Sequence, residues 1–386
     1  RGVIWRGARV GEGAQVRGAV VQTGAEVGQR ASIFEEGVLG DQSELGENCV
    51  LMPGVKVWPG KRVACGQKLD QNLVWGTGGG DLSATENPAQ AARLAQAFSA
   101  ALKPGSAVVG RDNSIQSLAQ ARAVSAGLIA QGVQVIDLGP STLPQVSHAV
   151  RSMDAGGALY VAEERLTLMA EGGTTPTSAQ MRALHGALSR EDYPRPYSQR
   201  MFPPVMAGGG ERSYLAALTK GLDVGGIKVQ LYAPGEPLLS TAERALMRAG
   251  CQVRAEWEQE LMDPEPGEVG LALDETGESV RFYGENGQLS EAENQQVLCW
   301  TALSMGARRL LMPPGMTRSI ALLASSRGAI VERVASDRAR WMRALLNEDE
   351  RLLRLYFDGV YAALATLHAL KKENLSIAGV VRLMPA

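Results

Sequence analysis

Aromatic residues make up only 5% of this 386-residue chain, whereas glycine occurs 45 times. That imbalance argues against large aromatic cores and for many tight turns. Charge of one sign is missing too: 39 Lys and Arg stand against 41 Asp and Glu, so no broad field exists to draw in nucleic acid or an anionic membrane. Cysteine is scarce. Cys49, Cys65, Cys251 and Cys299 lie far apart, with no C-x-x-C pair and no nearby histidine to complete a zinc site, and they read as reduced, mostly buried thiols. No apolar run approaches the roughly 18 residues of a membrane span, and no signal peptide opens the chain, which points to the cytoplasm. At 386 residues the chain exceeds one ordinary core, so several domains are expected. It opens on Arg1, within or next to a repeat that is already running, as expected of a piece of a longer protein.

What the sequence has instead is periodicity. From Val21 an aliphatic residue recurs at every sixth position, through Val27, Ile33, Leu39, Leu45, Leu51, Val57, Val63 and Leu69; upstream, Ile4, Val10 and Val16 keep the spacing with a single one-residue slip. A triangular coil with six residues per side places one aliphatic residue inside at each step. Glycine follows directly at Gly11, Gly28, Gly40 and Gly46, where the coil is expected to turn sharply and a Cβ would crowd it. Residues 1–76 therefore predict a left-handed parallel β-helix of about four coils. Such coils serve either acyl transfer, usually with a histidine at a coil junction, or scaffolding and oligomerisation. This segment has no histidine, since His148, His185 and His368 all come later, and the scaffold reading is favoured. Gly76-Thr77-Gly78-Gly79-Gly80 lacks the Lys-Ser/Thr and the strand-to-helix frame of a phosphate loop, so residues 77–87 read as a linker.

After the linker the period changes to that of strands and helices. Pro88 to Leu102 reads as a helix, Ala107 to Gly110 as a strand, Ser117 to Gln131 as a helix, Val133 to Leu138 as a strand, and residues 145–153 as a helix leading into the apolar strand Gly157 to Val161. Two shorter units of the same kind follow, and then a helical tail. The predicted boundaries are 88–205, 206–287 and 288–346 for three α/β/α domains, with 347–386 as the helical remnant of a fourth.

Five segments carry a resemblance. "AVVGRDNS" (Ala107 to Ser114), "VIDLGPSTLP" (Val135 to Pro144), the strand ending at Val161, "GLALDETGE" (Gly270 to Glu278) and "FDGVYAALATLHAL" (Phe357 to Leu370) come in the order of the phosphoglucomutase/phosphomannomutase superfamily. The coil, closing on Pro53 to Lys61 and Asn72 to Gly76, resembles the hexapeptide part of bacterial mannose-1-phosphate guanylyltransferases. The combined resemblance implies a β-helix followed by three phosphohexomutase-like α/β/α domains and a truncated fourth, belonging with an upstream nucleotidyltransferase domain.

The resemblance also implies where chemistry should be, and there the sequence departs from the family. The strand reaching Val161 should lead into Thr-Ala-Ser-His-Asn-Pro, whose serine carries the phosphate. Here Glu163 stands for the serine and Glu164 for the histidine, and a carboxylate cannot replace a hydroxyl that forms a stable phosphoester. The Asp-x-Asp-x-Asp-Arg metal loop reads Asp274-Glu275-Thr276-Gly277-Glu278-Ser279, leaving Asp274 and Glu278 as at most a vestigial, weak Mg²⁺ site and otherwise an ordinary polar turn. The sugar loop, Gly-Glu-x-Ser-Gly-His in the family, is replaced by Asn347 to Tyr356. Arg111-Asp112 survives from the Gly-Arg-Asp strand end, whose arginine lies near the family's phosphate site, and reads equally as a structural ion pair. Arg333, Arg338, Arg340 and Arg343 around Trp341 read as a solvated helix face in preference to an anion site, and the three histidines as satisfied structural residues.

The leading expectation is a non-catalytic module: an oligomerising scaffold with a degenerate mutase cleft, attached to a sugar-phosphate nucleotidylyltransferase that serves GDP-mannose synthesis. A sugar phosphate or nucleotide sugar is the ligand to be sensed, if any. The alternative is a working phosphomannomutase or phosphoglucomutase with another phosphorylated residue near Glu163, such as Thr167, Thr174 or Thr175.

Overall fold

The computed structural model describes residues 2–59, 61–63, 65–69, 81–83, 87–162, 165–191, 193, 196, 201–257, 264–284, 287–312, 318–334 and 337–383. The chain divides into two compact units, residues 1–85 with 164–167, and residues 86–163 with 168–386.

The first unit is built from two-residue strands. In chain order these are Val3–Ile4, Arg9–Val10, Gln15–Val16, Val20–Val21, Glu26–Val27, Ser32–Ile33, Val38–Leu39, Glu44–Leu45, Val50–Leu51, Lys56–Val57, Arg62–Val63 and Lys68–Leu69, numbered β1 to β12. Every third strand joins the same sheet, giving three parallel sheets, β1-β4-β7-β10, β2-β5-β8-β11 and β3-β6-β9-β12. The chain thus visits three sheets in turn and returns to the first one rung further on, pairing Val20 with Val38 and Val38 with Lys56. The predicted aliphatic line is the core: Val21, Ile33, Leu39, Leu45 and Leu51 are each 0% exposed. At about 1.5–3 kcal/mol per buried aliphatic side chain, this line is the unit's main source of stability.

A second inward line runs two residues ahead of the first and was not read from the sequence. Ala19, Ala25, Ala31, Gly37, Ser43, Cys49 and Val55 are all buried. Most are small, because each shares its layer with a larger aliphatic neighbour. Ser43 is satisfied there by donating to the carbonyl of Trp58 at 2.7 Å. Burial also pushes the Cys49 thiol up, so this cysteine is a neutral filler of the core.

The glycine expectation divides in two. Gly28 and Gly40 are indeed crowded, since a Cβ would lie 2.6 Å from the Gly46 carbonyl carbon and 2.5 Å from the Pro59 nitrogen of the next rung. The sharp turns fall elsewhere, three residues beyond the aliphatic position, where φ is positive at Gly24, Arg30, Glu36, Gln42, Asn48 and Gly54. Strand β13 (Asp81–Ser83) falls within the stretch read as linker and pairs antiparallel with residues 165–167.

The second unit is α/β. It runs α1 (Pro88–Leu102), β14 (Ser106–Arg111), α2 (Ile115–Ile129), β15 (Gln134–Pro140), α3 (Leu143–Ser152), β16 (Gly157–Ala162), β17 (Arg165–Ala170), α4 (Ser178–Arg190) and β18 (Val205–Met206). Strands β16, β14, β15 and β18 lie side by side in that order and are parallel, with β17 beyond β16. Helix α3 begins at Leu143, not at residue 145, because Thr142 and Gln145 form a capping box and Pro144 is tolerated in a first turn. Helix α4 was missed although Thr177-x-x-Gln180 is the same signal.

The next sheet comprises β19 (Lys228–Tyr232), β20 (Gln252–Glu256), β21 (Glu268–Leu273), β22 (Val280–Gly284) and β23 (Gly287–Gln288), with α5 (Gly210–Thr219) before it and α6 (Leu238–Arg248) between β19 and β20. The third α/β segment is smaller: α7 (Glu291–Ser304), β24 (Arg309–Met312), α8 (Arg318–Ser326) and β25 (Ile330–Arg333), with a two-stranded parallel sheet. Four helices follow, α9 (Arg338–Glu348), α10 (Glu350–Phe357), α11 (Gly359–Glu373) and α12 (Ile377–Arg382). Helix α11 is buried nearly all round and belongs to one continuous core with the two preceding α/β segments.

Candidate functional site

The first sheet fixes where a ligand crevice can form. From β14 the chain crosses through α2 to β15 on one side, then through α3 to β16 on the other, so the strand order reverses at β14. In open α/β sheets the crevice lies outside the carboxyl ends of the strands at such a reversal. Arg111 ends β14 and pairs with Val161 of β16, and the Asp112 amide donates to the Val161 carbonyl at 3.0 Å. Arg111 is therefore at this crevice, half-exposed, with Nη1 donating to the Asp112 carbonyl at 2.8 Å. Gly110 permits the close packing beneath it, because a Cβ there would come within 2.3 Å of the Val146 side chain. Glu163 and Glu164 follow β16 directly in sequence and lie outside the described residues.

The Asp274–Ser279 turn, joining β21 to β22, is closed on itself. Asp274 Oδ2 accepts from the Thr276 hydroxyl at 2.9 Å, and Oδ1 from the Ser279 amide at 3.2 Å. Glu278 faces a different group: Oε1 accepts from Arg338 Nη2 at 2.6 Å. A hard divalent ion needs six or more oxygen ligands with free lone pairs. Both Asp274 oxygens are engaged by donors, Thr276 turns its proton toward the carboxylate, and Glu278 holds a guanidinium. The turn does not fit Mg²⁺, and among the described residues no group of three or more His, Cys, Asp or Glu could hold a metal ion.

The place of the sugar loop is a junction between helices. Asp349 ends α9 and caps α10 by accepting from the Arg351 amide at 2.8 Å. The four arginines do not form one solvated face. Arg338 reaches Glu278 and Thr175, and Arg343 donates to Gln180 Oε1 at 3.2 Å, while Arg333 and Arg340 line a cavity of about 530 Å³ with Arg309 and Glu348. Trp341 is anchored by its indole N–H on the Leu311 carbonyl at 2.7 Å. Thr167, Thr174 and Thr175 are all buried, at 8%, 0% and 7% exposure.

Sequence reasoning missed a buried polar cluster where α3, α5, α10 and α11 meet. Asp358 is 4% exposed and Arg354 7%. Asp358 Oδ1 accepts from the Tyr214 hydroxyl at 2.9 Å and from the Tyr361 amide at 3.0 Å, while Oδ2 lies 3.7 Å from Arg354 Nε. Arg354 also donates to the Ala217 carbonyl at 3.1 Å and stacks 4.1 Å over the Tyr361 ring. Its Nε and Nη2 make no hydrogen bond. Burial pushes Asp358 up despite the Arg354 charge, and pushes Tyr214 well above its usual value. The signal in the sequence was two charges, Arg354 and Asp358, inside the otherwise apolar run Leu352 to Leu364.

His148 adjoins this cluster. Burial, with Arg354 and Arg151 nearby, lowers it to about 4, so it is neutral near pH 7. Its Nδ1 is buried without a hydrogen bond, as is Nε2 of His185. His148 Nε2 lies 3.5 Å from the Ser213 hydroxyl, and His368 Nδ1 lies 3.1 Å from the backbone of Asp223. The cysteines are free, and burial raises Cys251 to about 11 and Cys299 to about 12, which leaves those two as neutral thiols.

Comparison with known proteins fits this geometry. Residues 76–163 match the family model described as phosphoglucomutase/phosphomannomutase, alpha/beta/alpha domain I. The chain therefore contains a phosphoglucomutase/phosphomannomutase-like domain. A phosphoglucosamine mutase of Macrococcus caseolyticus is 26% identical over 232 residues, covering 52% of this chain and 51% of that protein, so the match spans about half the length of that relative. Among solved structures, a phosphoglucomutase/phosphomannomutase family protein from Burkholderia thailandensis superposes with a TM-score of 0.67 at 15% identity, over 80% of this chain and 79% of the other. The open form of the Paramecium phosphoglucomutase parafusin gives 0.57 at 13% identity, over 80% and 73%. At these identities the structures speak for the fold alone.

Proposed function

We propose that the phosphoglucomutase/phosphomannomutase-like region is a non-catalytic module, joined to a left-handed parallel β-helix that carries assembly, within a nucleotidylyltransferase of the mannose-1-phosphate guanylyltransferase type. The observation that carries the non-catalytic reading is the coincidence of two losses. A glutamate, Glu163, holds the place of the phosphate-carrying serine, and in the Asp274–Ser279 turn Asp274 is engaged by the turn's own backbone and Thr276, and Glu278 by Arg338. The substitute nucleophiles Thr167, Thr174 and Thr175 are buried, which weighs against a rerouted mutase.

The coil supports scaffolding in preference to acyl transfer because residues 1–76 contain no histidine. Arg111, half-exposed where the sheet order reverses, supports a sugar-phosphate-sensing role as the second reading.

The test has two arms. The purified chain, supplied with hexose 1-phosphates or glucosamine phosphates, a bisphosphate activator and Mg²⁺, should give no 6-phosphate, and measurable turnover would sink the non-catalytic reading. Thermal unfolding with the same sugar phosphates and with GDP-mannose addresses sensing. A ligand at 100 times its dissociation constant adds about 2.7 kcal/mol, and an Arg111→Met variant should lose that shift.

A further inference from the structure

Arg338 stands at the start of α9, where Asp337 caps the helix through the amides of Ala339 and Arg340. Its side chain leaves the helix and meets three separate segments. Nη2 donates to Glu278 at 2.6 Å, Nε donates to the Thr175 hydroxyl at 3.1 Å, and the guanidinium lies 4.7 Å from the Phe357 ring centre. A planar, permanently charged fork suits this position because it can satisfy a carboxylate, a hydroxyl and an aromatic face at once. We infer that Arg338 is the resident cation of the Asp274–Ser279 turn and clamps that turn to the segment after β17 and to α10.

The remainder of the α9 surface supports the clamp. One turn beyond Arg338, the Met342 sulfur accepts from the Thr175 amide at 3.4 Å and hydroxyl at 3.3 Å. Another turn on, Leu346 packs so closely on Gly172 that a Cβ there would lie 2.7 Å from it. Arg151 of α3 completes the contact by donating to Glu350 at 2.9 Å. Glu278 is thus neutralised by the protein itself, Asp274 is hydrogen-bonded within the turn, and the segment holding Thr174 and Thr175 is held beneath α9. This deepens the non-catalytic reading and rests on it for the claim that no metal is required here.

Thermal unfolding of the whole chain, in MgCl₂ and in NaCl of matched ionic strength, tests the inference in wild type, Arg338→Met, and Arg338→Met with Glu278→Gln. The wild-type midpoint should not respond to Mg²⁺. Arg338→Met should unfold about 2–4 °C lower in either salt, because Glu278 is left without its counter-charge. The double variant, which removes that unpaired charge, should regain part of the loss. Stabilisation of wild type by Mg²⁺ would overturn the inference, as would an Arg338→Met midpoint equal to wild type. If Arg338→Met does not fold, amide exchange of residues 172–175 and 274–279 in wild type decides: protection unchanged by Mg²⁺ supports the clamp, and Mg²⁺-dependent protection refutes it. Turnover is scored separately. Mutase activity in a chain whose stability ignores Mg²⁺ removes the non-catalytic reading and keeps the clamp, whereas Mg²⁺ stabilisation without turnover does the reverse.

Discussion

The coil and the α/β region solve burial in opposite ways. In the coil, each rung repeats one small problem, and an aliphatic residue at every sixth place with a small residue two places ahead fills the interior. In the α/β region the core also encloses charges, with Arg354 and Asp358 both buried. The first design is legible as a period. The second depends on partners more than a hundred residues apart, such as Tyr214 and Asp358, whose separation is 144. It follows that the coil should fail gradually when one rung is damaged, and the α/β core sharply when one charge loses its partner.

The strongest way to break the comparison is at Asp358. Asp358→Ala removes the cap of α11, the acceptor of Tyr214 and the counter-charge of Arg354, and should cost about 3–5 kcal/mol; urea unfolding measures it. Asp358→Asn keeps an oxygen for Tyr214 and the helix cap, and a loss as large as that of alanine would show that charge, not hydrogen bonding, governs the site. In the coil, Leu39→Ala should cost about 2–5 kcal/mol through the cavity it leaves. Its effect on amide exchange should stay in neighbouring rungs, and loss of protection in every rung would contradict the gradual picture.

Proton linkage offers a third handle. His148 is held near 4, below its unfolded value of about 6.5. Between those values the unfolded chain binds the proton and the folded chain does not, so stability falls as pH drops from about 6.5 to 4 and is fully present above 6.5. The full effect approaches about 3 kcal/mol. Asp358, pushed up by burial, contributes the opposite slope, so the contrast must be taken between wild type and His148→Gln. The variant should lose part of the acid-side decline, and identical profiles would exclude His148 as its source. The smallest expected effect sharpens the coil side. Glu36 has a φ of 61° without being glycine, and Glu36→Gly should stabilise by less than about 1 kcal/mol, by relief of left-handed strain offset by chain entropy.

In the sequence the candidate site is legible as departures from a family pattern. Glu163, Thr276 and the missing glycine before Tyr356 can be read directly as departures from a pattern, because each is a local substitution in a local motif. The partners of Arg338 could not be read that way. Arg338 looked like one charge on a solvated face, and only folding brings it to Glu278 and Thr175, 60 and 163 residues away. The same holds for His148, whose apolar helical neighbours gave no notice of Arg354.

By itself the sequence determined the six-residue period of buried aliphatic positions, the order of many of the α/β elements and the absence of a hydroxyl at position 163, since periods, caps and residue identity are local properties of a chain. Tertiary structure alone decided which buried charges find partners, which carboxylates remain free for a ligand, and that Arg338 holds the turn. Those outcomes depend on distances of a few ångströms between segments remote in sequence, and on desolvation that exists only once the core has closed.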